Sequence, residues 1–175
     1  LPTENYGQIS DIKPLYVNEK MPNKFINKYV FFITQPIDHK NPKKGTFKQM
    51  VVVAFAGWDK PTGIITEGYT GSYFLNPTYR EEISRLFNTN MVGVEHRYFN
   101  KSVPFAQDDT TITPDKLNWD YMTAEQEAAD LHAVRTALGH LFPGKWFSSG
   151  ISKGGQNCMA YTSFYPKDLD CSVPY

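Results

Sequence analysis

Gly150-Ile151-Ser152-Lys153-Gly154 constrains this chain more than any other stretch. It stands between a short apolar run, Lys145 to Ser149, and a helix-like stretch, Gly155 to Tyr165. A serine hydroxyl is a poor nucleophile unless it is held clear of the sheet, near a base and beside backbone donors. A sharp strand-to-helix turn does this by forcing the serine into a strained conformation above the strand ends. Gly150 and Gly154 then have a steric purpose, since a side chain at either place would strike a neighbouring strand or helix. The pattern fixes three of five positions. Its other reading is a plain strand–glycine turn–helix connection in a non-catalytic α/β domain.

The chain has 175 residues, 41% of them hydrophobic, which is enough for one domain with a sizeable core. Its net charge is zero, so no global field points to nucleic acid or to an anionic membrane. No apolar run approaches bilayer length, and Leu1 to Asn5 does not read as a signal peptide. The protein is therefore expected either in the cytosol or with a signal removed before this numbering begins. Aromatic residues make up 15%, which suits either a ring-filled core or a cleft lined with rings. Cys158 is expected inside the helix after Ser152 and Cys171 at the next strand. Two separate layers seldom bring cysteines into bridging range, so two free thiols are the expectation. Two cysteines without a C-x-x-C give no metal site.

Read in order, residues 1–27 are polar and broken by Pro14 and Pro22, an expected irregular lead-in to a single domain over 28–175. Lys28–Gln35 and Phe47–Ala56 are dense in β-branched and aromatic residues and are joined by turn formers, which predicts a hairpin. Ile64–Thr66 is a brief strand. Pro77–Phe87 reads as a helix starting at Pro77 or Thr78, with Ile83, Leu86 and Phe87 on its apolar side. Thr89–Glu95 reads as a buried strand, and His96–Tyr121 as a long loop of the kind found at sites. Thr123-Ala124-Glu125-Gln126 is a capping box. It opens a helix to Leu138 with Ala128, Leu131, Val134 and Arg135 along one face. Asp170–Tyr175 begins another strand. A hairpin followed by strand–helix alternation predicts an α/β fold, mostly parallel with an antiparallel hairpin edge. The serine would follow the fifth strand, the order of an α/β-hydrolase core.

Several blocks carry a more specific likeness. Thr66-Glu67-Gly68-Tyr69, Glu95-His96-Arg97-Tyr98-Phe99 with Ser102-Val103-Pro104, Ala129-Asp130-Leu131-His132, Lys145-Trp146 and Gly150 to Gly155 resemble the secreted tripeptidyl aminopeptidases. These are the PS-ten type of serine peptidase, a sister group of the prolyl carboxypeptidases and dipeptidyl peptidase II. The likeness runs from about Tyr29 to the end. It implies an α/β-hydrolase fold, a Ser-Asp-His triad without cofactor, and exopeptidase action on free N-termini outside the cytoplasm, in a secreted or periplasmic setting. In α/β-hydrolases the triad follows the chain order serine, acid, histidine. The acid, the histidine and the cap domain are then expected after residue 175, in the remainder of the chain, and residues 1–175 alone are expected to be inactive.

Ser152 is the candidate nucleophile. The Lys153 N–H, at a helix N-terminus, is a candidate oxyanion donor, and the N–H of Gly68 or Tyr69 is the second. The Lys153 ammonium is expected to meet solvent or an acid. Glu67 opposes oxyanion chemistry unless it binds a substrate ammonium; otherwise it pairs with Arg97 or Arg80. His96 is expected to rest on a carboxylate such as Glu95 or Asp130 rather than to be the base. Asp130 and His132 diverge on a helix and do not suggest a metal pair. Besides an exopeptidase of peptides, an esterase or lipase of the same fold and a non-catalytic hydrolase-fold binding protein stay open.

Overall fold

The computed structural model describes residues 7–15, 27–104 and 113–175. The expected hairpin forms: β2 (Asn27–Pro36) and β3 (Thr46–Phe55) pair antiparallel over their full length. The remaining strands are β4 (Thr62–Thr66), β5 (Asn90–Val94), β6 (Trp146–Gly150) and β7 (Cys171–Pro174).

The expected lead-in is corrected in part. Ile9–Pro14 is a strand, β1, paired antiparallel to β2 with a register shift between Ser10 and Lys13. Its polar, largely exposed residues give no strand signal; the hydrogen bonds of β2 hold it in the sheet. Residues 1–6 and 16–26 lie outside the described residues. Ser152 thus follows the sixth strand among the described residues.

The sheet order is β1-β2-β3-β5-β4-β6-β7. β4, β5, β6 and β7 run parallel, and β3 runs antiparallel to β5. Strand alternation splits the core. Val51, Val53, Ile64, Val92 and Val94 share a cluster with Leu131, Val134 and Leu138 of α2 (Ala124–Gly139) and Tyr161 of α3 (Lys153–Phe164). Val52, Ala54, Ile65 and Met91 pack with Phe74 in a second cluster.

The helix expected over Pro77–Phe87 shrinks to α1, Glu82–Phe87. The Glu81 carboxylate caps it by accepting from Ile83 N and Ser84 N. Upstream, the buried Lys28 ammonium takes the carbonyls of Asn76 (2.8 Å) and Tyr79 (3.1 Å), which holds that segment in turns. Leu86 and Phe87, expected on the packed side, are 66% and 72% exposed; the buried residue of α1 is Ser84.

Because β3 opposes β5, the β2–β3 turn lies at the same edge as the C-terminal ends of β4 to β7. That edge gathers Asp38 and His39, Glu67, Glu95 to Arg97, the start of α2, and Ser152.

Candidate active site

Ser152 sits between β6 and α3 at φ 56°, ψ −118°. Non-glycine residues rarely enter this region, and a strained serine here is the geometry expected of a nucleophile elbow. Its neighbours hold it there. Ser152 N donates to Tyr175 O (2.7 Å), and Tyr175 N donates to Gly150 O (3.0 Å), so the end of β7 brackets the turn. The glycines are required by space. A Cβ on Gly150 would lie 2.3 Å from Thr66 Oγ1, and one on Gly154 would lie 2.4 Å from Thr66 O. Thr66 also donates its hydroxyl to Gly154 O (2.7 Å), fastening the end of β4 to the first turn of α3. The Ser152 side chain is exposed, and among the described residues its hydroxyl meets no hydrogen-bond partner.

The loop after β4 reaches the elbow. A Cβ on Gly68 would lie 2.5 Å from Lys153 Cβ, so Gly68 and the residue after the serine are in direct contact. Asn157 of α3 donates to Glu67 O (2.7 Å) and ties the loop down a second time. The Lys153 N–H, at the first position of α3, has no acceptor within its helix. Tyr69 O accepts from His96 N (3.3 Å), and the Tyr69 N–H has no acceptor among the described residues.

Glu67 does not pair with Arg97, one of the two partners its structural alternative named. Its carboxylate accepts a hydrogen bond from Tyr73 Oη. Burial raises its pKa to about 7; the Gly68 N–H opposes the rise and the Glu95 carboxylate adds to it. Arg97 is instead fully buried on Asp130, with Nε to Oδ2 and Nη2 to Oδ1 both at 2.7 Å. Its other N–H groups go to Ile37 O, Tyr121 O and Pro36 O. Arg80 donates to Asn88 Oδ1 and Thr89 O.

His96 also departs from expectation. Neither Glu95 nor Asp130 holds it. Nδ1 donates to Arg97 O (2.6 Å), which leaves Nε2 to accept from the Lys153 ammonium (3.2 Å). Burial lowers its pKa to about 4, so the ring is neutral. The Lys153 ammonium therefore rests on an imidazole rather than on solvent or an acid, and lies 6.0 Å from the Tyr69 ring. Behind them Glu127 is almost wholly buried, with Oε2 3.7 Å from His96 Nε2 and Oε1 unpartnered among the described residues. Burial pushes its carboxyl up, and the nearby Asp130 charge pushes further.

Other residues gave no sequence signal for their placement. Glu95 accepts from Thr70 Oγ1, Gly71 N, Asn100 Nδ2, Lys101 N and Ser102 Oγ, so one buried carboxylate orders the loops after β4 and β5. Gln126, read as half of a capping box, does not reach back to its own helix. It donates to Asp38 Oδ1 and accepts from His39 N, both at 2.9 Å, while Thr123 caps α2 as expected. Asp130 takes His39 Nε2 (2.7 Å), and His132 takes Asp168 (2.7 Å), so the two residues do serve different partners. Both cysteines are free, as expected, Cys158 buried and Cys171 exposed.

The sequence matches the model of the PS-10 peptidase S37 family over residues 7–175. It is 34% identical over 160 residues to a prolyl tri/tetrapeptidyl aminopeptidase of Streptomyces mobaraensis, covering 91% of this chain and 31% of that protein. It is 31% identical over 133 residues to a lysosomal Pro-X carboxypeptidase of Mus musculus, covering 72% of this chain and 26% of that protein. The chain thus spans less than a third of the length of these relatives. Among solved structures, the rice cell wall degrading esterase LipA from Xanthomonas oryzae, in a ligand-bound form, superposes with a TM-score of 0.58. That match is 16% identical and covers 97% of this chain and 50% of the esterase. Brefeldin A esterase gives 0.52 at 14% identity, covering 91% and 42%. At these identities the structures speak for the fold, which is that of an α/β-hydrolase.

Proposed function

The chain belongs to the PS-10 peptidase S37 family, and from that premise we propose that it is the N-terminal part of a serine exopeptidase that removes short pieces, tripeptides, from the free N-terminus of peptides. The observation that carries this reading is the strained, exposed Ser152 at the head of α3. In this mechanism Ser152 Oγ attacks the scissile carbonyl carbon and passes its proton to a histidine contributed by a later part of the protein. The carbonyl oxygen becomes an oxyanion, for which the N–H groups of Lys153 and of the Gly68–Tyr69 loop are the donors. Gly68 and Tyr69 are both candidates for the loop donor, since neither N–H meets a backbone acceptor among the described residues. Collapse of the tetrahedral species expels the amine of the remaining peptide and leaves an acyl-enzyme on Ser152, which water then hydrolyses.

Glu67 is the anchor for the substrate's ammonium. A half-buried carboxylate beside an oxyanion site opposes acyl transfer unless a cation accompanies it, and the free N-terminus of a peptide is that cation. Such a charge-assisted contact contributes roughly 1.5–3 kcal/mol. The setting in this reading is outside the cytoplasm, where free peptides are degraded.

The test is kcat/KM of the full-length enzyme on a peptide and its N-acetylated twin, with the products identified by mass. The free-amine peptide should be cleaved about ten- to a hundredfold faster, with a tripeptide released. Glu67→Gln should narrow the gap. Equal cleavage of both twins, or cuts far from the N-terminus, would contradict the reading.

A further inference from the structure

A cleft of about 210 Å³ opens beside Ser152, between the first turn of α3 and the start of α2. Its polar lining is Lys153, Gln156 and Asn157 from α3, His96 from the end of β5, and Thr123 from the cap of α2. We propose that this cleft is a second recognition subsite, one that takes a carboxylate of the substrate. The proposal rests on the exopeptidase reading for the identity of that substrate, a peptide, and on the structure for the charge it selects.

Lys153 is the one cationic side chain among the lining residues, and none of them is acidic. Its ammonium gives one hydrogen bond to His96, which is neutral, so the cation is held in place without being neutralised. Two of its three donors stay available to a ligand. The amides of Gln156 and Asn157 add polar groups to the same wall.

The acids nearby do not cancel this charge. Glu125 is paired with Lys40, Asp130 with Arg97, and Asp38 with Lys44. Glu127 is almost wholly buried behind His96, 3.7 Å from its Nε2, and is not among the residues lining the cleft. Glu67 presents only its backbone oxygen to Asn157; its carboxylate goes to Tyr73. Ser152 is thus flanked by an acid that engages Tyr73 and by a lysine that engages the cleft. A peptide bound with its ammonium at Glu67 would find a positive group adjoining the same serine. The carboxylate could be an Asp or Glu side chain or a chain terminus; both present the same anion to Lys153.

The experiment is binding to the full-length Ser152→Ala protein, which reads the cleft with no chemistry involved. Two peptide pairs serve as probes, one differing by Glu against Gln near the cleavage point, the other by a C-terminal acid against its amide. The carboxylate member of at least one pair should bind about five- to tenfold more tightly, and the pair that responds identifies the source of the anion. Tenfold corresponds to about 1.4 kcal/mol. The preference should weaken at high salt, disappear in Lys153→Met and survive in Lys153→Arg. Should Lys153→Met fail to fold, Gln156→Glu on the exposed side of α3 should reverse the preference. Equal affinities within both pairs, or a preference that persists in Lys153→Met or Gln156→Glu, would overturn the proposal. Labelling of the unmutated enzyme with a fluorophosphonate reads the nucleophile separately, so loss of the subsite and loss of the serine hydrolase reading give different results.

Discussion

In the proposed function Ser152 and Glu67 carry the chemistry, and each is held in a state that costs free energy. Residues at sparsely populated backbone angles cost roughly 1–3 kcal/mol and persist where the surroundings over-determine them. At Ser152 the surroundings are the Tyr175 backbone on one side and the Thr66–Gly154 bond on the other. At Glu67 the cost is desolvation, which lifts the carboxyl to about pH 7 in the free enzyme. This has a pH consequence of definite sign. Only the ionised carboxylate attracts an ammonium, so the ratio of kcat/KM for free-amine over acetylated peptide should climb through pH 7 and fall again as the substrate's own α-ammonium loses its proton near pH 8. Dividing by the acetylated twin removes the titration of the catalytic histidine common to both. In Glu67→Gln the ratio should be flat. Ser152 was legible because its flanking glycines are a local steric need. The partner of Glu67 was not, since a carboxylate thirty residues from Arg97 and thirteen from Arg80 looks the same in one dimension as one bound by Tyr73.

Helix α2 and the β2–β3 turn are joined where the sequence offered no hint of a joint. The capping box was half right: Thr123 caps the helix, and Gln126 was free to bind Asp38 and His39 because the turn lies at the same edge. Long-range polar contacts of this kind leave no period in the sequence, whereas the apolar face of α2 does, which is why Leu131, Val134 and Leu138 were found. α1 failed for a related reason. Its short apolar residues mimic a packed face, but the Glu81 cap and the Lys28 bonds fix its start late and leave Leu86 and Phe87 outside. The strongest link of α2 is Asp130, placed between Arg97 and His39. Burial alone would raise its carboxyl; the Arg97 guanidinium and the His39 bond outweigh that and hold it below the ordinary carboxylate range. The stabilisation is therefore present above that range and is lost as pH falls through the lowered pKa. Asp130→Asn leaves Arg97 buried without its counter-charge and should cost about 3–5 kcal/mol. Chemical denaturation at neutral pH measures the loss, and the difference from the unmutated protein should shrink in acid.

Across the whole molecule, a hairpin and a parallel set of strands share one sheet, and Ser152, Glu67, His96 and Arg97 lie at the edge where β4, β5 and β6 end. That architecture was readable from the order of strands and helices, apart from β1, whose place depends on β2 rather than on its own residues. In the proposed function the described residues supply a nucleophile, oxyanion donors and charged anchors. The proposal assigns the acid and histidine of the triad, on the chain order of α/β-hydrolases, to the longer protein; the relatives extend to about three times this length. The central claim is that Ser152 is an activated nucleophile, and it is tested most directly by treating the full-length protein with a fluorophosphonate and mapping the adduct by mass spectrometry. The account predicts a single adduct on Ser152 that is absent from Ser152→Ala. An unlabelled protein, or an adduct that persists in the mutant, would contradict it.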